Sequence, residues 1–246
     1  MEEELAKVRL HVNAATANQK RPALLLQAID ATLQEQACAA SPTAYFASLL
    51  TTLQSLPLKA DQADLVAADL YLLAIVMPFV PDNVLLSKQD AVQSSISASL
   101  LFTLKTPTDS AAPTLKSILS IVVKLYAILP PQLLTKLEYS QLFNTVISLL
   151  MDARPKVRRK AQDAVLAIAF SDPAHPYAER SAIWVISTLE TGAKEVRQGG
   201  LKGNSEELTS RLIGLATFVK EAADKWPKSV SAFLESSLSE LISGGL

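Results

Sequence analysis

The sequence predicts an all-α chain, an α-solenoid of roughly eleven antiparallel helices. Three observations carry this reading. First, 49% of the 246 residues are hydrophobic, only 6% are aromatic, and glycine occurs seven times. That balance suits helices packed on helices, because sheets draw on more turns and more β-branched and aromatic residues. Second, apolar residues recur three and four apart over helix-length segments, with prolines marking the turns. Third, the stretch Met151–Phe170, MDARPKVRRKAQDAVLAIAF, places Val157, Ala161, Ala164 or Val165, and Ile168 on one helix face. In it, Pro155 suits a first helical turn and Asp152 the positive helix end.

Taken in order, residues 2–17 read as a largely polar helix with Leu5, Val8 and Val12 as its stripe. Asn18–Arg21 makes a turn, and Pro22 opens a helix to Gln36 through Leu25, Ile29 and Leu33. Ser41-Pro42 is an N-cap followed by an N1 proline, and the helix behind it carries Tyr45, Phe46, Leu49, Leu50 and Leu53. A long apolar helix runs from Asp61 to Phe79, interrupted by Pro78 and Pro81. Ser87–Lys105 follows, with Ile96, Leu100 and Leu104 inside, and then the loop Thr106–Pro113. Leu115–Leu129 and Leu133–Leu150 form a pair joined by Pro130-Pro131, which cannot continue a helix.

Beyond Met151–Phe170, Ser171–Pro176 reads as a stiff connection. The helix Ala178–Thr191 then places Ile183, Ile186 and Trp184 inward. Four of the seven glycines fall in Gly192–Ser205, which is expected to be a mobile loop near 192–205. Glu206–Lys225 and Ser229–Ile242 make a last pair around Trp226-Pro227. Helix hairpins at a spacing of about 40 residues mark the HEAT/armadillo-like class of α-solenoid. Met151–Phe170 has the Asp/Pro/Val-Arg/Ala pattern of an inner HEAT helix. Residues 1–246 are therefore read as a single HEAT-like array, with a compact helical bundle as the alternative.

Charge is unevenly placed. The net charge is −1. Residues 1–150 hold ten basic and twelve acidic side chains, 151–202 nine and six, and 203–246 four and six. Five of the seven residues from Arg154 to Lys160 are basic: Arg154, Lys156, Arg158, Arg159 and Lys160. A local cluster of this kind can hold nucleic acid or an acidic partner without a basic pI. Phosphate contacts need positive charge in a row and no base-reading geometry, so sequence-specific recognition is not implied. In the alternative reading the same residues are a solvated face, with Arg158 paired to an acid of a neighbouring repeat.

Nothing in the sequence assembles a catalytic site. His11 and His175 lie far apart, and Cys38 is the single cysteine. One His and one Cys make neither a zinc site nor a Cys-His dyad. Asp61, Asp64 and Asp69 fit a solvated helix face. Gly199–Ser205, GGLKGNS, lacks the order of a phosphate loop and follows no strand. No enzymatic activity, metal, cofactor or small-molecule substrate is expected. The N-terminus MEEELAKVRL is too charged for a secretory signal. The most apolar run, Leu70–Val80, is shorter than the about 20 residues a membrane span needs. A lone cysteine is compatible with a reducing compartment, so a soluble intracellular protein with no membrane partner is expected.

Two segments carry a family resemblance. LAKVRLHVNAATANQKRPALLLQAIDATLQEQ (5–36) and SPTAYFASLLTTLQ (41–54) resemble the start of the ribosomal RNA-processing protein 12 family. The turn Ala17–Lys20 before a proline and the helix start Ser41–Phe46 carry most of the likeness. Arg154–Val165 fits the same family. The resemblance implies a karyopherin-like HEAT-repeat factor of ribosome biogenesis, acting in rRNA processing and in maturation and nuclear export of pre-ribosomal subunits. It implies RNA binding, pre-ribosomal particles and their assembly factors as partners, and links to Ran and nuclear pore proteins. It also implies residence in nucleus and nucleolus with shuttling to the cytoplasm. Family members are several times longer, so the chain corresponds to their N-terminal portion. The alternatives are a karyopherin-like transport adaptor binding Ran or pore repeats, and a generic HEAT-repeat interaction scaffold.

Overall fold

The structure of the protein is a computed structural model that describes residues 1–106, 108–170, 175–198 and 205–226. Among these residues it is all-α, with twelve α-helices, four short 3-10 turns and no strand. The chain divides into two compact units, Met1–Leu129 and Pro130–Leu246.

The first unit holds α1 (Glu2–Arg9), α2 (Ala17–Glu35), α3 (Pro42–Ser55), α4 (Ala63–Val76), α5 (Asp82–Ser87), α6 (Gln89–Lys105) and α7 (Ala111–Ile128). Helix α4 is its centre, packed against α2, α3 and α7. Leu70, Leu72, Leu73 and Val76 of α4 are wholly buried, as are Leu115, Ile118, Leu119, Val122 and Leu125 of α7. Such burial stabilises by roughly 25 cal/mol per Å² of apolar area removed from water. By length and composition alone, Ala60–Phe79 and Ala111–Ile128 could cross a membrane, but here their leucines face neighbouring helices. Ser41 caps α3 as expected, its Oγ accepting the Ala44 N–H at 3.2 Å.

Helix α1 is tied to the next two by one polar triad. Arg9 Nε donates to Asp30 Oδ2 at 2.8 Å, and Arg9 Nη2 donates to the Tyr45 hydroxyl at 3.0 Å. That hydroxyl donates in turn to Asp30 Oδ1 at 2.6 Å. Burial, and then the Asp30 charge beside it, push the Tyr45 phenol up to about 12. The Asp30 carboxyl is also raised by burial, but hydrogen bonds from Arg9 and Tyr45 outweigh this and leave it below its ordinary value.

Several expected positions move. The first helix stops at Arg9, and α2 begins at Ala17, with Thr16 as its N-cap and Pro22 inside it. Pro22 therefore lies in the second turn, where its missing N–H leaves the Asn18 carbonyl without its helical donor. Leu26 takes the buried place expected of Leu25. Helix α7 starts at Ala111, shortening the expected loop. Leu104 is 39% exposed, because the inner face of α6 runs through Ile96, Ser99, Leu100 and Thr103. Asp69, expected on a solvated face, is buried to 0% exposure among the apolar residues of α4.

The second unit holds α8 (Pro131–Leu134), α9 (Leu137–Ser148), α10 (Pro155–Ala169), α11 (Tyr177–Gln198) and α12 (Ser205–Ala222). Prolines open α8 and α10 at their first helical positions. Val157, Ala161, Ala164, Val165 and Ile168 form the buried face of α10. Tyr177, at the start of α11, stacks on Phe143 of α9 with ring centroids 4.2 Å apart and planes within 6°. Its hydroxyl donates to the Leu134 carbonyl of α8 at 2.6 Å.

Here too expectations shift. Ile183 is 54% exposed, since Ala178, Ala182, Val185, Ile186 and Leu189 fill the inner face of α11. Residues 192–198, expected to be mobile loop, continue α11. Gly192 lies within α11, and a Cβ there would lie 2.5 Å from Leu212 Cδ2, so the missing side chain makes room for Leu212 of α12. The remainder of that loop at 199–204, the connection at 171–174 and the helix expected at 229–242 lie outside the described residues.

Candidate functional site

The five cations of Arg154–Lys160 all sit at the N-terminal end of α10, but the fold does not present them as one surface. Arg154 is the N-cap residue and turns back onto Asp152. Its Nε donates to Asp152 Oδ1 at 2.8 Å and its Nη2 to Oδ2 at 2.7 Å, while its backbone N–H donates to Oδ1 at 2.9 Å. Burial pushes the Asp152 carboxyl up, yet the Arg154 hydrogen bonds and the charges of Arg154 and Arg211 outweigh burial and hold it below its ordinary value. Hydrogen bonding to Asp152 raises the Arg154 guanidinium correspondingly.

Among the described residues Arg158 pairs with no acid, in contrast to the alternative reading. Its Nη1 donates to the backbone carbonyls of Asp152 at 2.8 Å and Ala153 at 3.0 Å, holding the turn that enters α10. The pairing to another helix is made by Arg159, whose Nη1 donates to Glu221 Oε1 of α12 at 3.0 Å. Asp163 lies 3.9 Å from Arg159 Nε. Beside this contact Gln162, buried, donates to the Gly214 carbonyl of α12 at 2.9 Å. Lys156 and Lys160 form no ion pair among the described residues.

Sequence reasoning placed Asp152 at the positive helix end but did not find its pairing with Arg154, nor Gln162 and its partner Gly214, nor Glu221 on α12. The Asp152–Arg154 spacing was a readable signal, since an acid two residues before a helix start can accept its free N–H groups. Glu221 gave none, being 62 residues from Arg159. In the first unit the structure adds a cavity of about 230 Å³ between α2, α4 and α7, with the Arg21–Asp64 ion pair at 3.3 Å on its lining. Among the described residues no group of three His, Cys, Asp or Glu side chains could hold a metal ion.

Replacing Asp152 by alanine is expected to cost about 1–2 kcal/mol, through loss of the helix-start acceptor and of charge-assisted hydrogen bonds. Because the folded carboxyl titrates lower than the unfolded one, this contribution is present above about pH 3.9 and disappears as pH falls through the folded value. Urea unfolding of both proteins at neutral and strongly acidic pH checks this; an equal gap at both would contradict the assignment.

The chain was compared with known proteins. A family model described as RRP12-like, N-terminal HEAT repeats matches residues 12–211. Ribosomal RNA-processing protein 12 of Saccharomyces cerevisiae is 26% identical over 194 residues, covering 74% of this chain and 15% of that protein. RRP12-like protein of Gallus gallus is 28% identical over 204 residues, covering 77% of this chain and 15% of that protein. The chain thus spans about 15% of the length of these relatives. No solved structure matches.

Proposed function

The chain belongs to the family of RRP12-like N-terminal HEAT repeats, and from that membership we propose that it is a non-enzymatic scaffold of ribosome biogenesis that binds pre-ribosomal RNA and assembly factors. The observation that carries the proposal is the match over residues 12–211, which takes in α2 to α11 and the basic turn opening α10. The two relatives are named for ribosomal RNA processing or for likeness to such a protein, and the same role is assigned here to the shorter chain. Its mechanism is contact through exposed helix faces. Phosphates meet the start of α10, and protein partners meet other exposed surfaces. The compartments are nucleus and nucleolus, and the particle-bound chain accompanies precursor subunits toward export.

The test is capture of the tagged chain from nuclear extract, with sequencing of the retained RNA and identification of retained proteins. Enrichment of precursor ribosomal RNA and assembly factors is expected. RNA contacts should weaken steeply with added salt through counterion release. Salt-insensitive recovery of Ran or pore-repeat proteins without ribosomal RNA would instead establish a transport adaptor. Recovery of neither would contradict the scaffold role for this chain.

A further inference from the structure

The five cations of α10 are divided by what already holds them. The carboxylate of Asp152 takes Nε and Nη2 of Arg154, at 2.8 and 2.7 Å. Two backbone carbonyls take Nη1 of Arg158. Glu221 and Asp163 take Arg159. A phosphate approaching Arg154 or Arg159 meets the carboxylate already paired to it, although the Arg159 side chain is 60% exposed.

Lys156 and Lys160 are different. They lie four residues apart, so they share a face and their side chains leave the helix about 6 Å apart along its axis. Helical rotation of 100° per residue puts this face on the flank of α10 away from Gln162, which contacts α12. Further along the flank the exposed residues are Asp163 and Ala167, so the surface offers charge, one carboxylate included, with little apolar area. Two adjacent ammonium groups with no ion pair among the described residues, on a flank without large apolar side chains, match successive phosphates of a polynucleotide better than an apolar peptide.

Resting on the RNA-binding reading above, we propose that RNA phosphates are bound at α10 by Lys156 and Lys160 alone, while Arg154, Arg158 and Arg159 serve hydrogen-bond partners within the second unit. The sequence shows five equivalent cations; the structure assigns two to the ligand. Recognition on this basis is independent of base sequence, because ammonium groups on a helix flank read charge and spacing only.

The experiment is fluorescence anisotropy of the 246-residue chain with a labelled, unstructured oligoribonucleotide across a salt titration. Each single-strand phosphate contact contributes about 0.7 to the slope of log K against log salt, so Lys156→Gln with Lys160→Gln should flatten that slope by about 1.4. Arg159→Gln should leave the slope unchanged. Circular dichroism should show wild-type helicity for both variants. An unchanged slope in the double lysine variant, with wild-type RNA binding intact, would overturn the division of roles. So would an Arg159→Gln slope as flat as that of the lysine variant. Absence of RNA binding by the wild-type chain would overturn the RNA-binding reading itself. Tighter binding of polyglutamate than of RNA would replace the RNA by an acidic protein segment.

Discussion

An Asp69→Asn variant is expected to be more stable than the wild-type chain at neutral pH and to lose most of the pH dependence of the first unit. Asp69 is 0% exposed, and neither carboxylate oxygen has a hydrogen-bond partner among the described residues. Burial alone pushes its pKa up to about 8. The unfolded carboxyl titrates at about 3.9, so between these values folding must take up a proton. The sign follows directly. Stability from this site is full below about pH 4 and is lost as pH rises to about 8, at about 1.4 kcal/mol per pH unit.

At pH 7 the accumulated cost approaches about 4 kcal/mol, which the permanently neutral asparagine avoids. Its amide still lacks partners, and that residual penalty of about 1–3 kcal/mol is close to the one protonated Asp69 already carries. Urea unfolding between pH 5 and pH 8 is the measurement. A wild-type slope that persists in the asparagine variant would assign the titration to another group.

The second large effect is expected at Tyr177. Tyr177→Ala should cost about 3–5 kcal/mol, as for other large aromatic truncations in cores. The ring is 2% exposed, stacked on Phe143, with the Arg180 guanidinium 5.9 Å from its centroid. Tyr177→Phe keeps the stack and removes only the hydroxyl, which leaves the Leu134 carbonyl without its donor and should cost about 1–3 kcal/mol. The two variants therefore separate ring packing from the hydrogen bond. Equal losses in urea unfolding would mean that the stack with Phe143 contributes nothing.

These two residues mark the limits of what the sequence discloses. Punctuation was legible in part: Ser41-Pro42 and Pro155 open helices because a proline ring fits best in the first turn and an N-cap oxygen has a free N–H to accept, whereas Pro22 lies inside α2 and Pro131, read as a joint, opens α8. The face of α10 was legible too, since Val157, Ala161, Val165 and Ile168 keep one period over a strongly polar background. Helix α4 lacks that contrast. It is apolar around most of its circumference, so periodicity could not tell that Asp69 points inward. Ile183 failed for the opposite reason, because alanines and a valine of α11 were small enough to fill the inner face without it.

At the candidate site the sequence disclosed the cations but not their internal partners. Pairing depends on which helix lies alongside, and Arg159 and Glu221 meet only when α12 packs on α10. A cluster read along the chain therefore overstates the charge it presents to a ligand.

Gly192 has a consequence of another kind. Helix α11 has, well within its span, the residue least able to hold a helix apart from proline, and Leu212 of α12 fills the notch left by the missing side chain. A notch fixes alignment. If α12 slid along α11 by one turn, Leu212 would meet a full side chain instead of open space, and the hairpin would be forced apart. At this point the fit of the pair rests on an absent methyl group rather than on a charge or a hydrogen bond, so this contact carries no dependence on salt.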